Sequence, residues 1–262
     1  MTYFQALVLG VTQGLTEFLP VSSSGHLIVV PRLFGWPDQG LAFDAAIHLG
    51  TLAALLAYFR AELLALLSGA LPRRLLARLL LATVPAGAAG LLLDRLIAMY
   101  FRSPLLVAGS TALWAIVMAL ADRRARAAPT TAADPLARIA TGQALAIGCA
   151  QALALVPGTS RSGITITAAL FAGLDRATAA RFSFLLGIPI TAAAGGLKTW
   201  QLLRLGLSGP ESGPLAAAVA AAFVSGWFAV WFLVSYLKRR SLRPFVIYRL
   251  GLTALILVIV LR

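Results

Sequence analysis

Apolar residues run on along this chain where a soluble protein would alternate them with polar ones. Nearly unbroken apolar stretches occupy about Leu41 to Phe59, Leu76 to Leu96, Pro104 to Ala121, Ala177 to Trp200, Leu215 to Leu237 and Pro244 to Leu261. Each is long enough for a helix to cross the hydrocarbon of a bilayer, which predicts six transmembrane helices. Two further units share a different pattern: an apolar helical run, a Pro/Gly/Ser break, and a second short apolar run. They are Phe4 to Leu19 with Leu27 to Phe34, and Ile139 to Val156 with Ile164 to Leu174. Neither arm needs to cross completely, so each pair reads as a re-entrant helical hairpin.

The two breaks are variants of one another. Gly10, Gln13, Leu15, Ser22, Ser24 and Gly25 fall opposite Gly148, Gln151, Leu153, Ser160, Ser162 and Gly163, with the prolines one position out of step. Composition fixes the solvent. Of 262 residues 60% are hydrophobic and 12% charged, too few polar side chains to cover a soluble globule. The mean hydropathy of +0.89 agrees. The formal charge of +13 does not point to nucleic acid, because the basic residues sit at span ends and form no stripe with interleaved aromatics.

Those basic residues orient the chain instead. Arg60, Arg73, Arg74 and Arg78 flank one loop, Arg123, Arg124, Arg126 and Arg138 a second, and Lys238, Arg239, Arg240 and Arg243 a third. The positive-inside rule makes all three cytoplasmic. Met1 to Gly40 then lies outside the cytoplasm and Pro129 to Arg176 on the cytoplasmic side, so the hairpins enter from opposite faces. That is an inverted-topology repeat with broken helices converging near the midplane. The expected organisation is one membrane domain over residues 1–262: repeat 1 at about 1–121, a charged Ala/Pro/Thr-rich linker at about 122–135, and repeat 2 at about 136–262. No Lys or Arg precedes Arg32, so the start lacks the basic region of a secretory signal and is expected to stay in the mature chain. The single cysteine, Cys149, allows no intramolecular disulfide and no thiol metal cluster.

The chemistry gathers at the breaks. Gln13 and Glu17, four apart, share a helix face, with Gly10 beside them to admit another backbone. A carboxylate within an apolar helix is costly and marks a functional site unless it only pairs with an arginine, here Arg161. Ser22, Ser23, Ser24, Gly25 and His26 precede an apolar helix; capping accounts for one serine, not for three and a histidine. Pro157-Gly-Thr-Ser-Arg-Ser-Gly163 combines glycines, hydroxyls, inward N–H groups and a following helix N-terminus into an anion cradle, to which Arg161 adds forked donors suited to phosphate oxygens. The inventory fits phosphoryl binding and transfer.

On these residues the sequence resembles the undecaprenyl-diphosphate phosphatases, the bacitracin-resistance family, over essentially its whole length. The stretch from Gln13 through Glu17, Phe18, Leu19 and Pro20 to His26 is similar to that family's first motif, and Pro157 to Gly163 to its second. The resemblance implies a multi-pass enzyme of the bacterial inner membrane, with its active site facing the periplasm. Such an enzyme removes the terminal phosphate of undecaprenyl diphosphate, yields the lipid carrier for peptidoglycan synthesis and confers bacitracin resistance. It implies catalytic positions at Glu17, Ser23, His26 and Arg161. It also implies a substrate pocket of Gln13, Ser22, Ser24, Gly25, Gln151, Gly158, Thr159, Ser160, Ser162 and Gly163. Divalent-metal dependence is implied as well, with magnesium expected and calcium as the alternative. Many members carry Glu where this chain has Gln13, which leaves Glu17 as the one carboxylate ligand there and favours magnesium bridging the substrate's own phosphates. In the expected mechanism Arg161 and loop N–H groups hold the diphosphate while Ser23 attacks in line and Glu17 or His26 accepts its proton. Attack by His26 or directly by water stays open.

Two other classes fit part of the pattern. An inverted repeat with broken helices is also a transporter architecture, but transport needs no nucleophile and proton acceptor such as Ser23, Glu17 and His26. A type 2 phosphatidic-acid phosphatase needs a second histidine after its serine-arginine pair, and none follows Arg161. A purely structural membrane protein would leave the burial of Glu17 and Arg161 unexplained. Elsewhere, His48, one turn after Asp44, reads as a local hydrogen bonder, and Arg249 as a residue paired with a carbonyl or acid or lining a substrate path. Trp36, Tyr100 and Trp200 read as interfacial anchors. Gly195, Gly196 and the alanines from Ala216 to Ala222 read as close-packing surfaces, within the chain or between copies in a homodimer.

Overall fold

A computed structural model describes residues 1–100, 103–125, 134–204 and 212–261, the side chains of 41–42, 94–100, 197–204 and 261 excepted. The side chains of the expected anchors Tyr100 and Trp200, the Arg126 charge and positions 126–133 of the expected linker lie outside what is described. At the linker's margins, Asp122 and Arg123 continue a helix and Pro135 opens a 3-10 turn, Pro135–Arg138.

The described residues are helical and contain no strand. The helices are α1 (Tyr3–Phe18), α2 (Ser23–Leu33), α3 (Gly40–Tyr58), α4 (Arg60–Ser68), α5 (Arg73–Tyr100), α6 (Pro104–Arg123), α7 (Thr141–Ala152), α8 (Arg161–Phe171), α9 (Arg176–Arg204), α10 (Ser212–Leu237) and α11 (Arg243–Leu261). Five of them, α5, α6, α9, α10 and α11, are each long and apolar enough to cross a membrane. The helices α3 and α4 pass the same test only together, as a pair bent by 65° at Phe59, and would add a sixth if that pair is one span. The chain is an integral membrane protein.

Burial is inverted relative to a soluble protein. Leu91, Leu92, Leu67 and Ile247 are 70% or more exposed, while Gln13, Ser22, Thr159, Ser162, Thr165 and Ser183 are wholly buried. Apolar side chains face lipid because lipid solvates them, and polar ones turn inward because only protein can satisfy them there. The aromatic core of Phe18, Phe59, Phe182 and Phe184 joins the two halves of the chain, with Phe18 and Phe184 in edge contact at 5.6 Å.

The two short units differ from expectation at one point. Their second arms begin at Ser23 and Arg161, not at Leu27 and Ile164, so the polar motifs occupy the first turns of α2 and α8. The reason is the residue before each. Ser22 (φ 75°) and Ser160 (φ 70°) are the only non-glycine residues with positive φ among those described, and each reverses the chain directly into helix. The first arm of the second unit is correspondingly shorter, α7 ending at Ala152 and passing through a 3-10 turn, Leu153–Leu155.

The equivalent glycines do equivalent packing. A Cβ on Gly10 would strike the Ala218 backbone of α10, and one on Gly148 would strike the Ala82 backbone of α5. Thus α1 lies along a span of the second half and α7 along a span of the first, each at a distance only glycine permits.

Candidate active site

The two breaks meet. Gly158 N donates to Ser24 Oγ at 3.3 Å, Ser162 Oγ donates to the Leu19 carbonyl at 3.3 Å, and Arg161 reaches across to Glu17. Each serine pair repeats the same local bond, Ser22 with Ser24 at 3.2 Å and Ser160 with Ser162 at 3.3 Å. Only the second motif has a side-chain cap, Gly163 N donating to Ser160 Oγ at 3.2 Å. Gly158 (φ 91°) is obligatory, since a Cβ there would collide with the Val107 carbonyl of α6.

Irregular backbone at this depth leaves carbonyls without helical partners, and Arg249 on α11 collects them. It is 1% exposed. Its guanidinium donates to the carbonyls of Gly158 at 2.9 Å, Thr159 at 3.1 Å, Thr111 at 3.2 Å and Pro20 at 3.4 Å. The alternative of a carbonyl partner is the one realised, and the cation ties α6 and both breaks together. Thr111 Oγ1 donates to the Gly158 carbonyl and Ser110 bonds Thr159, from α6.

Glu17 is the centre of the site. Its Oε2 accepts from Ser23 Oγ at 2.8 Å and from Gln13 Nε2 at 3.3 Å. Its Oε1 accepts from Arg161 Nη2 at 2.9 Å and Nε at 3.3 Å. The Arg161 guanidinium lies over Gly187 of α9, where the absence of a side chain makes room for it, and its Nη1 is buried without a partner. Three residues, one each from α1, α2 and α8, therefore share one carboxylate: an amide, a hydroxyl and a fixed cation.

His48 also belongs here, which the sequence reading missed. Its Nδ1 donates to the Asp44 carbonyl at 2.5 Å, the local bond expected, while Nε2 stands 3.6 Å from Glu17 Oε2. The available signal was that one of only two histidines lies in a largely apolar run, one turn after Asp44. Gly187 and Tyr248 were also missed, since neither stands out in an apolar run.

His26 is not brought to this centre. Its Nδ1 donates to the Ser22 carbonyl at 2.7 Å, which leaves Nε2 to accept from Tyr248 Oη at 2.6 Å, and it makes no hydrogen bond to Ser23 or Glu17. Gln151, the equivalent of Gln13, is 2% exposed and neither atom of its amide has a partner; Gln13 Oε1 is likewise unpaired. Such orphaned buried amides are costly and point to a polar guest.

A resident metal does not fit the protein donors. No group of three or more His, Cys, Asp or Glu residues is placed to hold a cation among the described residues, and both oxygens of Glu17 are already engaged.

A serine hydroxyl on a buried carboxylate, beside an arginine and two helix N-termini inside a bundle of apolar helices, brings together groups suited to anion chemistry. The family model described as bacitracin resistance protein BacA matches residues 6–255, and the chain belongs to that family. It is 45% identical to the undecaprenyl-diphosphatase of Hahella chejuensis, over 98% of each chain. It is 48% identical to the protein of the same name from Geobacter sulfurreducens over 95% of each chain. It is 45% identical to undecaprenyl-diphosphatase 2 of Stutzerimonas stutzeri, over 99% of this chain and 98% of that one.

Proposed function

We propose that this protein is a phosphatase that hydrolyses undecaprenyl diphosphate to undecaprenyl phosphate and inorganic phosphate, in the family that confers bacitracin resistance. The observation that carries the reading is Ser23 Oγ donating at 2.8 Å to a carboxylate whose other oxygen is held by Arg161. In this reading Glu17 is the proton acceptor on the nucleophile, and Arg161 the permanent cation that meets the entering phosphate.

In the reaction the diphosphate draws Arg161 from Glu17 onto its terminal phosphate, assisted by the N–H groups opening α2 and α8. Ser23 Oγ attacks phosphorus in line as its proton passes to Glu17 Oε2. The bond to the bridging oxygen breaks, and undecaprenyl phosphate leaves with the proton returned by Glu17. Water then attacks the phosphoserine, Glu17 taking the water proton and passing it to Ser23 Oγ as the serine–phosphorus bond breaks and inorganic phosphate forms. Glu17 is preferred to His26 as base because both His26 ring nitrogens are committed to Ser22 and Tyr248. His26 holds the turn at Ser22, and the orphaned amides of Gln13 and Gln151 line the pocket.

A divalent cation, magnesium by preference, would be held mainly by the diphosphate itself, because the described residues alone offer it too few donors. When bound, it would neutralise phosphate charge.

The fold is read as one domain of two inverted repeats, with six spans and the units α1/α2 and α7/α8 re-entering from opposite faces. The exchanged packing of Gly10 on Ala218 and Gly148 on Ala82 supports it, as do the three basic loops. The site then opens to the periplasm of a bacterial inner membrane.

The test is phosphate release from undecaprenyl diphosphate by the detergent-purified protein with magnesium. Ser23→Ala is expected to lower turnover by at least about 100-fold with an unchanged melting temperature. Retention of more than a tenth of the rate would remove Ser23 as nucleophile, and no release by folded wild type would remove the phosphatase reading.

A further inference from the structure

At the far end of α8 from Arg161 lies a second concentration of charge that the reaction does not use. Eleven residues of helix separate the two, roughly 16 Å at about 1.5 Å per residue. A cleft of about 550 Å³ is lined by Asp122, Arg123, Ala125, Arg176, Arg239, Arg240, Ser241 and Arg243. The end of α6, the start of α9 and the turn from α10 into α11 thus converge with five arginines and one acid.

That acid is spent inside the protein. Asp122 is 5% exposed and accepts Arg176 Nε at 2.6 Å, while its carbonyl accepts Arg176 Nη2 at 2.8 Å. The pair holds the Arg176 guanidinium rigid on the floor, with Nη1 still free to donate. Arg123, Arg239, Arg240 and Arg243 have no ion pair among the described residues. Five positive charges against one negative leave a net of four, and the N-terminus of α11 at Arg243 adds its dipole. A single phosphodiester would leave most of that charge unmatched.

The position chooses the source of the anion. The cleft lies where α6 and α10 end and α11 begins, and four of its five arginines come from two of the basic loops expected on the cytoplasmic side, the fifth being Arg176 at the start of α9. Below it α10 and α11 expose Trp231, Phe232 and Ile247, a surface for acyl chains. We propose that this cleft binds the headgroup of a phospholipid bearing two phosphodiesters, of the cardiolipin type, in the cytoplasmic leaflet. The forked arginines take the phosphate oxygens, and the lipid clamps α6, α9 and the α10–α11 turn together.

The full-length protein in detergent is titrated with cardiolipin, phosphatidylglycerol, phosphatidylcholine or inorganic diphosphate, with binding read by native mass spectrometry and melting temperature. The variants are the exposed set R239Q/R240Q/R243Q and, as a control of equal type from another basic loop, R73Q/R74Q. Wild type and control should bind cardiolipin at least 10-fold tighter than phosphatidylglycerol and melt higher with it. The triple variant should bind about 100-fold more weakly, at roughly fivefold per charge removed, while still hydrolysing substrate. Equal loss in both variants, or equal affinity for the two anionic lipids, would reduce the cleft to general surface charge and overturn the proposal. Binding of diphosphate as tight as that of cardiolipin would overturn the lipid as occupant.

Discussion

Gly187→Ala should inactivate the enzyme without unfolding it. The added Cβ would occupy the place of Arg161 Nη1 and lie 2.8 Å from Cζ, where ordinary contact begins near 3.4 Å. The guanidinium must therefore withdraw from α9 by at least about 0.6 Å at Cζ, the difference of those two distances, and further at its tip. Its bonds to Glu17, at 2.9 and 3.3 Å, cannot both survive that shift. Loss of one charge-assisted bond costs about 1.5–3 kcal/mol, or roughly 10–150-fold in a rate that depends on it. Stability moves little, since the displaced atoms end a flexible side chain and alanine favours helix over glycine by about 1 kcal/mol. The assay is magnesium-dependent phosphate release beside a thermal melt of the same preparation. A variant that melts within a few degrees of wild type and keeps more than a third of its activity would refute the assignment of Arg161, held over Gly187, to the anion.

Gly148→Leu should cost at least about 1–3 kcal/mol, because its side chain would meet the Ala82 backbone of α5, whereas Gly142→Ala on the same helix has open space and should melt as wild type does. Chelation should abolish phosphate release yet leave the melting temperature of the substrate-free protein unchanged; a large drop in melting temperature would reveal a resident metal. Outside the membrane, burial works to raise the Asp134 carboxyl, but hydrogen bonds from Arg181 and Leu136 outweigh it and hold it below its ordinary value of 3.8. That depression contributes stability above pH 3.8 which is lost as pH falls through the lower folded-state value. Asp134→Asn should lack this component of acid denaturation, read from melting temperature against pH.

What the sequence by itself determined was the solvent and the cast of the site. Hydrocarbon demands long apolar helices and forbids polar groups without a purpose, so five spans and the residues Gln13, Glu17, Ser23 and Arg161 stand out in one dimension. The repeat between the motifs was legible for the same reason: identical backbone problems, a reversal at Ser22 and at Ser160, call for similar residues. What only the tertiary structure decided was which groups touch. The sequence put His26 among the catalytic candidates and His48 in a local hydrogen bond, yet His48 reaches Glu17 and His26 is taken up by Ser22 and Tyr248, because helix rotation and crossing set side-chain neighbours that spacing along one helix does not encode. Arg249 read as paired with a carbonyl or acid, or lining a substrate path, and only the fold brings four carbonyls from two breaks and α6 onto it. Gly187 carries no sequence signal at all, since its part is to be absent where Arg161 must lie. Local chemistry can be read from residue type, whereas partnership depends on close packing between segments more than a hundred residues apart.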